Sequence, residues 1–180
     1  MNITTIGKGN IGGGLARRWE RAGHNVTTLG SDGGDASTAD VVLLAVPGGA
    51  ISDALPKVSG LEGKVVIDAT NIFSDRNDEY ESLAYEVKAH TNGPVAKAFN
   101  ANFAALYDEI DGQRVRPSCL YAADEEARDV VERLIRDAGY EPVSAGGLEN
   151  ARALEDFVPN LFGKLEAGRT FYRFALPGEL

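Results

Sequence analysis

Short apolar runs bounded by Gly, Asp or Asn alternate with stretches of helical periodicity along the whole chain, the pattern of a parallel sheet covered on both faces. Asn2 to Ile6 reads as a first strand. From Asn10 to Ala22 the residues Ile11, Leu15, Trp19 and Ala22 fall on one helical stripe, with Arg17, Glu20 and Arg21 opposite, and Gly23 stops the helix. Asn25 to Leu29, Val41 to Val46 and Val65 to Ala69 give three more strands, with a short helix over Ala50 to Leu55. In the second half, Val95 to Asn100 and Ser118 to Ala122 read as strands. Ala127, Val130, Val131, Leu134, Ile135 and Ala138 repeat at helical spacing between an N-capping Asp124 and a C-capping Gly139. A last helix starts near Asn150, carries Leu154, Val158, Leu161 and Leu165, and should kink at Pro159, which lacks the backbone donor.

Two polar segments interrupt this order. Gly30 to Ala39 is a Gly, Asp and Ser turn where a full nucleotide-binding unit carries another helix and strand. Asp75 to Glu81 reads as a loop or frayed helix start beyond the carboxyl end of the fourth strand. The pattern as a whole predicts a Rossmann-type α/β fold, doubly wound, with a mainly parallel sheet and a small C-terminal helical addition. The same pattern predicts one main α/β domain over residues 1–148 and, over residues 149–180, a helix and tail packing on that domain or on a dimer partner.

Composition narrows the partners. A chain of 180 residues that is 43% hydrophobic can build one sizeable core, and its net charge of −9 disfavours nucleic acid or an anionic membrane as a partner. A small molecule is the expected ligand. Cys119 is the single cysteine, and His24 and His90 are scattered, so neither a disulfide nor a metal site is expected; this usage suits a reducing cytoplasm. Met1 runs straight into a strand without a basic start and apolar stretch, and the longest apolar run, Val41 to Pro47, is far short of the ~20 residues that span a bilayer. Neither export nor a membrane span is expected.

The chemistry-bearing motif is Gly7-Lys8-Gly9-Asn10-Ile11-Gly12, a G-x-G-x-x-G that follows a strand and opens an amphipathic helix. Gly7 allows the tight turn, Gly9 lets backbone approach a pyrophosphate, and Gly12 lets helix and strand pack closely. The first helical turn then offers free N–H donors and the positive end of the macrodipole to the phosphates. Lys8 either adds charge there or is simply solvated. About 20 residues further on, Ser31 and Asp32 stand where the adenosine ribose is read. A carboxylate at that place accepts from a ribose 2′-hydroxyl and repels a 2′-phosphate, so Asp32 alone points to NAD; equally, Asp32 to Asp35 reads as an acidic turn facing water.

With that loop, Ala45-Val46-Pro47, Val65 to Asn71, Lys97-Ala98-Phe99-Asn100, Ala138 to Val143 and Gly146 to Arg152 in order along the chain, the sequence resembles the coenzyme F-420-dependent NADP oxidoreductases. The resemblance implies a nicotinamide cofactor along the sheet edge with a deazaflavin stacked on it, a homodimer, and direct hydride transfer between the two rings. Carried over residue by residue, it implies that Ala45, Val46 and Pro47 contact the cofactor and that Ala69, Thr70 and Asn71 lie near its nicotinamide half. Phe99, Asn100 and Ala104 would line the shared pocket. The chain departs from the family at Asp32, where an arginine usually follows the serine, and in the short Gly30 to Ala39 turn. NADP and NAD therefore both stay open as the cofactor.

Hydride transfer between two bound heterocycles needs position rather than a protein acid or base, so no catalytic residue is named and His90 is expected at the surface. The expected activity is an oxidoreductase passing hydride between NAD(P) and coenzyme F-420 or a flavin such as FMN. A non-catalytic dinucleotide-binding sensor is the alternative, and the room above the nicotinamide distinguishes the two.

Overall fold

The computed structural model describes residues 1–73 and 79–178. Its elements run β1 (Asn2–Ile6), α1 (Asn10–Arg21), β2 (Asn25–Leu29), β3 (Gly34–Asp35), β4 (Val41–Leu44), α2 (Ile51–Ala54), β5 (Val58–Ser59) and β6 (Val65–Asp68). They continue with α3 (Leu83–Thr91), β7 (Val95–Ala98), β8 (Ser118–Ala123), α4 (Glu125–Asp137), β9 (Glu141–Ser144) and α5 (Ala151–Asn160). Seven strands form one sheet in the order β2-β1-β4-β6-β7-β8-β9, parallel throughout except where β8 runs against β7. This is the Rossmann-type architecture expected from the sequence.

The chain leaves β1 toward β2 on one side and later returns to β4 on the other, so the winding reverses between β1 and β4. Ligands of open α/β sheets bind at the carboxyl ends of the strands at such a reversal. The ladder closes tightly there, with Gly7 N donating to Leu29 O (3.0 Å) and Ala45 N to Ile6 O (2.8 Å).

Alternate residues of each strand feed two core layers. Ile3, Val41, Leu43 and Ile67 pack with Leu15, Trp19 and Leu134 under α1 and α4. Val42, Leu44 and Val66 pack with Ile51, Leu55, Leu83 and Val87 under α2 and α3. Trp19 is fully buried and its indole N–H donates to Leu134 O at 2.9 Å, which satisfies the one polar atom that burial would strand.

Several boundaries differ from the sequence reading for local reasons. The strands at Val41 and Val95 end at Leu44 and Ala98, two residues early, the second where Phe99 takes a positive φ of 63°. The Gly30 to Ala39 turn contains β3, which pairs with β5 apart from the main sheet. Asp124 sits at the N-cap of α4, but its carboxylate accepts from Lys88 Nζ and Val95 N, both at 2.8 Å, rather than capping the helix. The helix α3 was not anticipated. Its signals were the capping Ser82, whose Oγ accepts from Tyr85 N (3.3 Å), and the buried stripe Leu83, Ala84, Val87, Thr91. Up to residue 78, the polar segment Asp75 to Glu81 lies outside the described residues. Beyond α5 the tail returns to β8, where Ser118 N donates to Tyr172 O (2.8 Å) and Phe174 N to Ser118 Oγ (2.9 Å). Among the described residues no helix is long and apolar enough to cross a membrane.

Candidate functional site

Two of the three loop glycines are there for packing. Gly7 has φ +101°, in the left-handed region, and a Cβ on it would collide with the carbonyl oxygen of Ala45. A Cβ on Gly12 would collide with the carbonyl oxygen of Gly7. Gly9 is different, because a Cβ built there meets nothing within 4 Å and would project into open space. Gly9 is also the N-cap of α1, where no side chain caps the helix and no acidic residue occupies the first turn. The backbone therefore turns free N–H donors and the positive helix end toward that opening.

The opening joins two cavities. The outer one, of about 570 Å³, runs from the glycine loop across the ends of β1 and β2 to the segment after α2, and Gly7, Lys8, Gly30, Ser31, Asp53 and Lys57 contribute to its lining. The inner one, of about 470 Å³, runs from Gly9, Asn10 and Ile11 past the ends of β6 and β7. Gly9, Ala45, Val46 and Pro47 border both. Each volume lies within the ~300 to 1,000 Å³ typical of small-molecule sites.

The inner cavity is lined by amides. Asn71 Nδ2 donates to Asn100 O (2.7 Å), and Asn100 Nδ2 donates to both Asn71 Oδ1 (3.2 Å) and Leu154 O (2.8 Å). Asn102 Nδ2 donates to Ser118 O at 3.0 Å. These bonds use the donors of Asn100 and Asn102, while the carbonyl oxygen of each is buried without a partner among the described residues. Phe103, Val158 and Arg169 complete the lining.

Behind this wall lies a fully buried ion cluster. Lys97 Nζ on β7 contacts Asp68 Oδ2 (2.8 Å) at the end of β6 and Glu155 Oε1 (3.2 Å) on α5, all three side chains having no exposure. It also donates to Thr70 O at 2.7 Å, and Glu155 accepts from Leu83 N at 2.9 Å. One ammonium thus fixes the Thr70–Asn71 turn, the start of α3 and the middle of α5 against the sheet.

The structure brings Gly7, Lys8, Gly9, Ser31, Ala45, Val46 and Pro47 to the outer cavity, and Asn10, Ile11, Ala69, Asn71, Asn100 and Ala104 to the inner one. Four expected residues stand elsewhere. Gly12 serves the strand–helix packing, and Thr70 is buried behind the wall with its carbonyl on Lys97. Asp32 is exposed and lies off the lining of the outer cavity. Phe99 is a correction: its ring is fully buried edge-on between Trp19 (5.8 Å) and Tyr140 (6.5 Å), and so belongs to the core rather than to a second-substrate pocket. Its backbone takes φ +63°, uncommon for a bulky residue, at the point where the chain leaves β7 and delivers Asn100 to the edge. The sequence reading missed Lys57, Asn102 and Arg169. No local motif marks them, and only the folded chain puts them beside the glycine loop. Cys119 is buried, with its thiol pushed up to about 12 by desolvation, and it offers no nucleophile to the groove. No group of His, Cys, Asp and Glu among the described residues could hold a metal ion.

No protein-family model and no curated protein matches the chain. Solved structures do. One from Arthrobacter sp. FB24, provisionally described as an F420-dependent NADP-reductase, superposes with a TM-score of 0.79 at 21% identity, covering 98% of this chain and 100% of its own. A hypothetical protein from Sinorhizobium meliloti gives 0.68 at 25% identity, with 98% and 95% covered. The 3-hydroxyisobutyrate dehydrogenase of Mycobacterium tuberculosis gives 0.60 at 16% identity, over 89% of this chain but 58% of that longer one. Together these likenesses establish that the chain has the Rossmann-type fold, in the arrangement that it shares over nearly its whole length with the Arthrobacter protein.

Proposed function

We propose that the protein is a nicotinamide-dependent oxidoreductase that passes hydride between NAD or NADP and a tricyclic partner, a deazaflavin such as coenzyme F-420 or a flavin such as FMN. The observation that carries this reading is the groove itself, two cavities meeting at Gly9 with open space at the α1 N-terminus. The adenosine half of a dinucleotide fits the outer cavity, its phosphates the free N–H donors beside Gly9, and its nicotinamide half the inner cavity. There the amide side chains of Asn71, Asn100 and Asn102 border the space that a carboxamide would take. When bound, the dinucleotide supplies the hydride chemistry. The chain's own residues hold and orient: Asn71 and Asn100 fix each other, Ala45, Val46 and Pro47 press on the dinucleotide, and Phe103 and Val158 line the part of the inner cavity that a second ring would take. The Arthrobacter protein's description supports a deazaflavin as that ring. Work as a homodimer belongs to the same reading, with exposed Leu161, Leu165, Phe174 and Leu176 as apolar surface for a second copy.

The test is to titrate NADH and NADPH and then to follow reduced-nicotinamide oxidation with coenzyme F-420 and with FMN. Turnover with either acceptor is the expected result. Tight binding without turnover would instead make the protein a dinucleotide sensor, and absence of binding would end the dinucleotide reading.

A further inference from the structure

Lys97 of β7 and Asn100, just beyond its end, tie the same two segments together at the inner cavity. Asn100 donates from Nδ2 to Asn71 Oδ1 (3.2 Å) and to Leu154 O on α5 (2.8 Å). Lys97 takes the residue next to each of these: its Nζ donates to Thr70 O at 2.7 Å and meets Glu155 Oε1 at 3.2 Å. Thr70–Asn71 and Leu154–Glu155 are therefore braced twice, once by an amide at the cavity lining and once by a buried ammonium.

The two braced segments belong to different walls. One wall is Ala69 and Asn71 with Val46 and Pro47, and the other takes Val158, about one helical turn beyond Leu154, with Phe103. The first wall is pinned through its backbone: Ala69 N donates to Leu44 O (2.9 Å), Thr70 N to Asp68 Oδ1 (2.8 Å) and Gly48 N to Asn71 O (3.0 Å). Against that frame Glu155 brings α5 to the Lys97 ammonium, and by accepting from Leu83 N (2.9 Å) it brings the start of α3 there too. Well-packed apolar side chains would hold a helix on a sheet at least as firmly as a fully buried ion cluster, so stability alone is a poor account of this lysine.

From this double brace we propose that Lys97 is a positioning residue of the hydride-transfer site, setting the width of the slot between the Asn71 wall and the Val158 wall without touching either ring. The inference rests on the dinucleotide reading above. Transfer between two rings needs the reacting atoms ~3–3.5 Å apart, and a misplacement of about 1 Å costs about 100-fold in rate. A slot pinned on one side by backbone bonds has its width decided where the other side is tied, and the buried tie is the Lys97 ammonium. The adenosine end should be indifferent to it, because Lys8, Ser31 and Lys57 line the outer cavity from the segments after β1, β2 and α2, which lie outside the brace.

The experiment compares NADH with ADP-ribose, and NADPH with 2′-phospho-ADP-ribose, by calorimetric titration, so that the affinity gap within each pair reports the nicotinamide ring alone. Emission anisotropy of the bound reduced nicotinamide and kcat with coenzyme F-420 or FMN complete the readings. One variant combines Lys97→Met, Asp68→Asn and Glu155→Gln, which removes the ammonium together with the two carboxylates that face it. Another is Glu155→Asp, which keeps the charge and shortens the arm by a methylene, and thermal melts check the folding of both. In the triple variant the gap should shrink at least about fivefold, the anisotropy should fall and kcat should drop about tenfold or more, while ADP-ribose affinity stays within about twofold. Glu155→Asp should shrink the gap by about two- to threefold, and it decides the matter alone if the triple variant does not fold. A folded triple variant with the wild-type gap and anisotropy, or one that loses ADP-ribose affinity equally, overturns the positioning role and leaves the dinucleotide reading standing. If the wild type binds dinucleotides but turns over neither acceptor, the hydride-transfer reading fails, and the gap and anisotropy alone decide for or against Lys97. If none of the four ligands binds, the dinucleotide reading falls and takes the positioning role with it.

Discussion

The two halves of the groove are built on opposite terms. The outer half is exposed and charged, and it is local: Lys8, Gly9, Ser31 and Lys57 all belong to the first third of the chain. The inner half is lined by amides and assembled from the ends of β6 and β7, from α5 and from the tail, with the buried Lys97, Asp68 and Glu155 cluster behind it. A surface that grips phosphates can keep its cations hydrated, because backbone donors and charge act without rigid side chains. A surface that must hold one ring against another needs side chains that cannot move, and a satisfied buried polar network supplies that stiffness.

The comparison breaks most severely at Lys97. Lys97→Met removes the ammonium and leaves two carboxylates fully buried beside each other, a loss expected to cost about 3–5 kcal/mol. Urea denaturation measures it. Adding Asp68→Asn and Glu155→Gln should recover part of the loss, since the uncompensated charge is then gone. A single variant as stable as the wild type would mean that the cluster does not hold the inner half together. For contrast, the exposed Arg152–Asp156 pair on α5 should be worth only about 0.3–0.5 kcal/mol.

This difference also explains what could be read in advance. The Gly7 to Gly12 loop carries its meaning in adjacent residues, and the strand and helix around it follow from periods of two and of 3.6. Asn71 and Asn100 were reachable because each ends a strand at the edge where ligands bind. Lys57, Asn102 and Arg169 were not, since their places on the groove come from tertiary neighbours, 26 residues away for Lys57 and Ser31 and 16 for Asn102 and Ser118. Phe99 misled for a related reason. A phenylalanine at a strand end reads the same whether its ring turns to the groove or to the core, and only the φ of +63° sends it inward. The helix α3 escaped because Glu86, Lys88 and His90 hide a narrow buried stripe, and Glu86, buried with its carboxyl raised by desolvation, interrupts the apolar run of that stripe.

Within the outer half a sharper contrast separates two glycines three residues apart. Gly12→Ala should cost about 1–3 kcal/mol of stability, because its Cβ meets the Gly7 carbonyl and backbone must shift. Gly9→Ala should cost about 1 kcal/mol or less, as expected at an N-cap, yet weaken dinucleotide binding by about tenfold or more by filling the space that the phosphates would use. Thermal melts and NADPH titrations of the two variants separate the effects. If Gly9→Ala binds as the wild type does, the phosphates do not approach at that point.

The smallest effect lies at the link between the halves, where Arg18 of α1 donates from Nη1 to Tyr107 O (2.6 Å) in the turn over residues 104–112 that opens on the inner cavity. It also donates from Nε to Ala138 O, and from Nη2 to Asp111 Oδ1. The bond from Arg18 holds the Asp111 carboxyl below its usual range. A carboxyl so depressed contributes stability above its unfolded pKa, near 3.9, and loses it as pH falls through the lower folded value. Asp111 is 64% exposed, so the contribution is screened and should be about 0.5 kcal/mol at most. Asp111→Asn should therefore lower the urea midpoint slightly at pH 7 and by less at pH 3, where the wild-type carboxylate is itself being titrated. An equal deficit at both pH values would assign the effect to shape rather than charge. The two backbone carbonyls keep the buried guanidinium paired when Asp111 is changed, which is why removing that carboxylate should still leave α1 docked and both cavities in place.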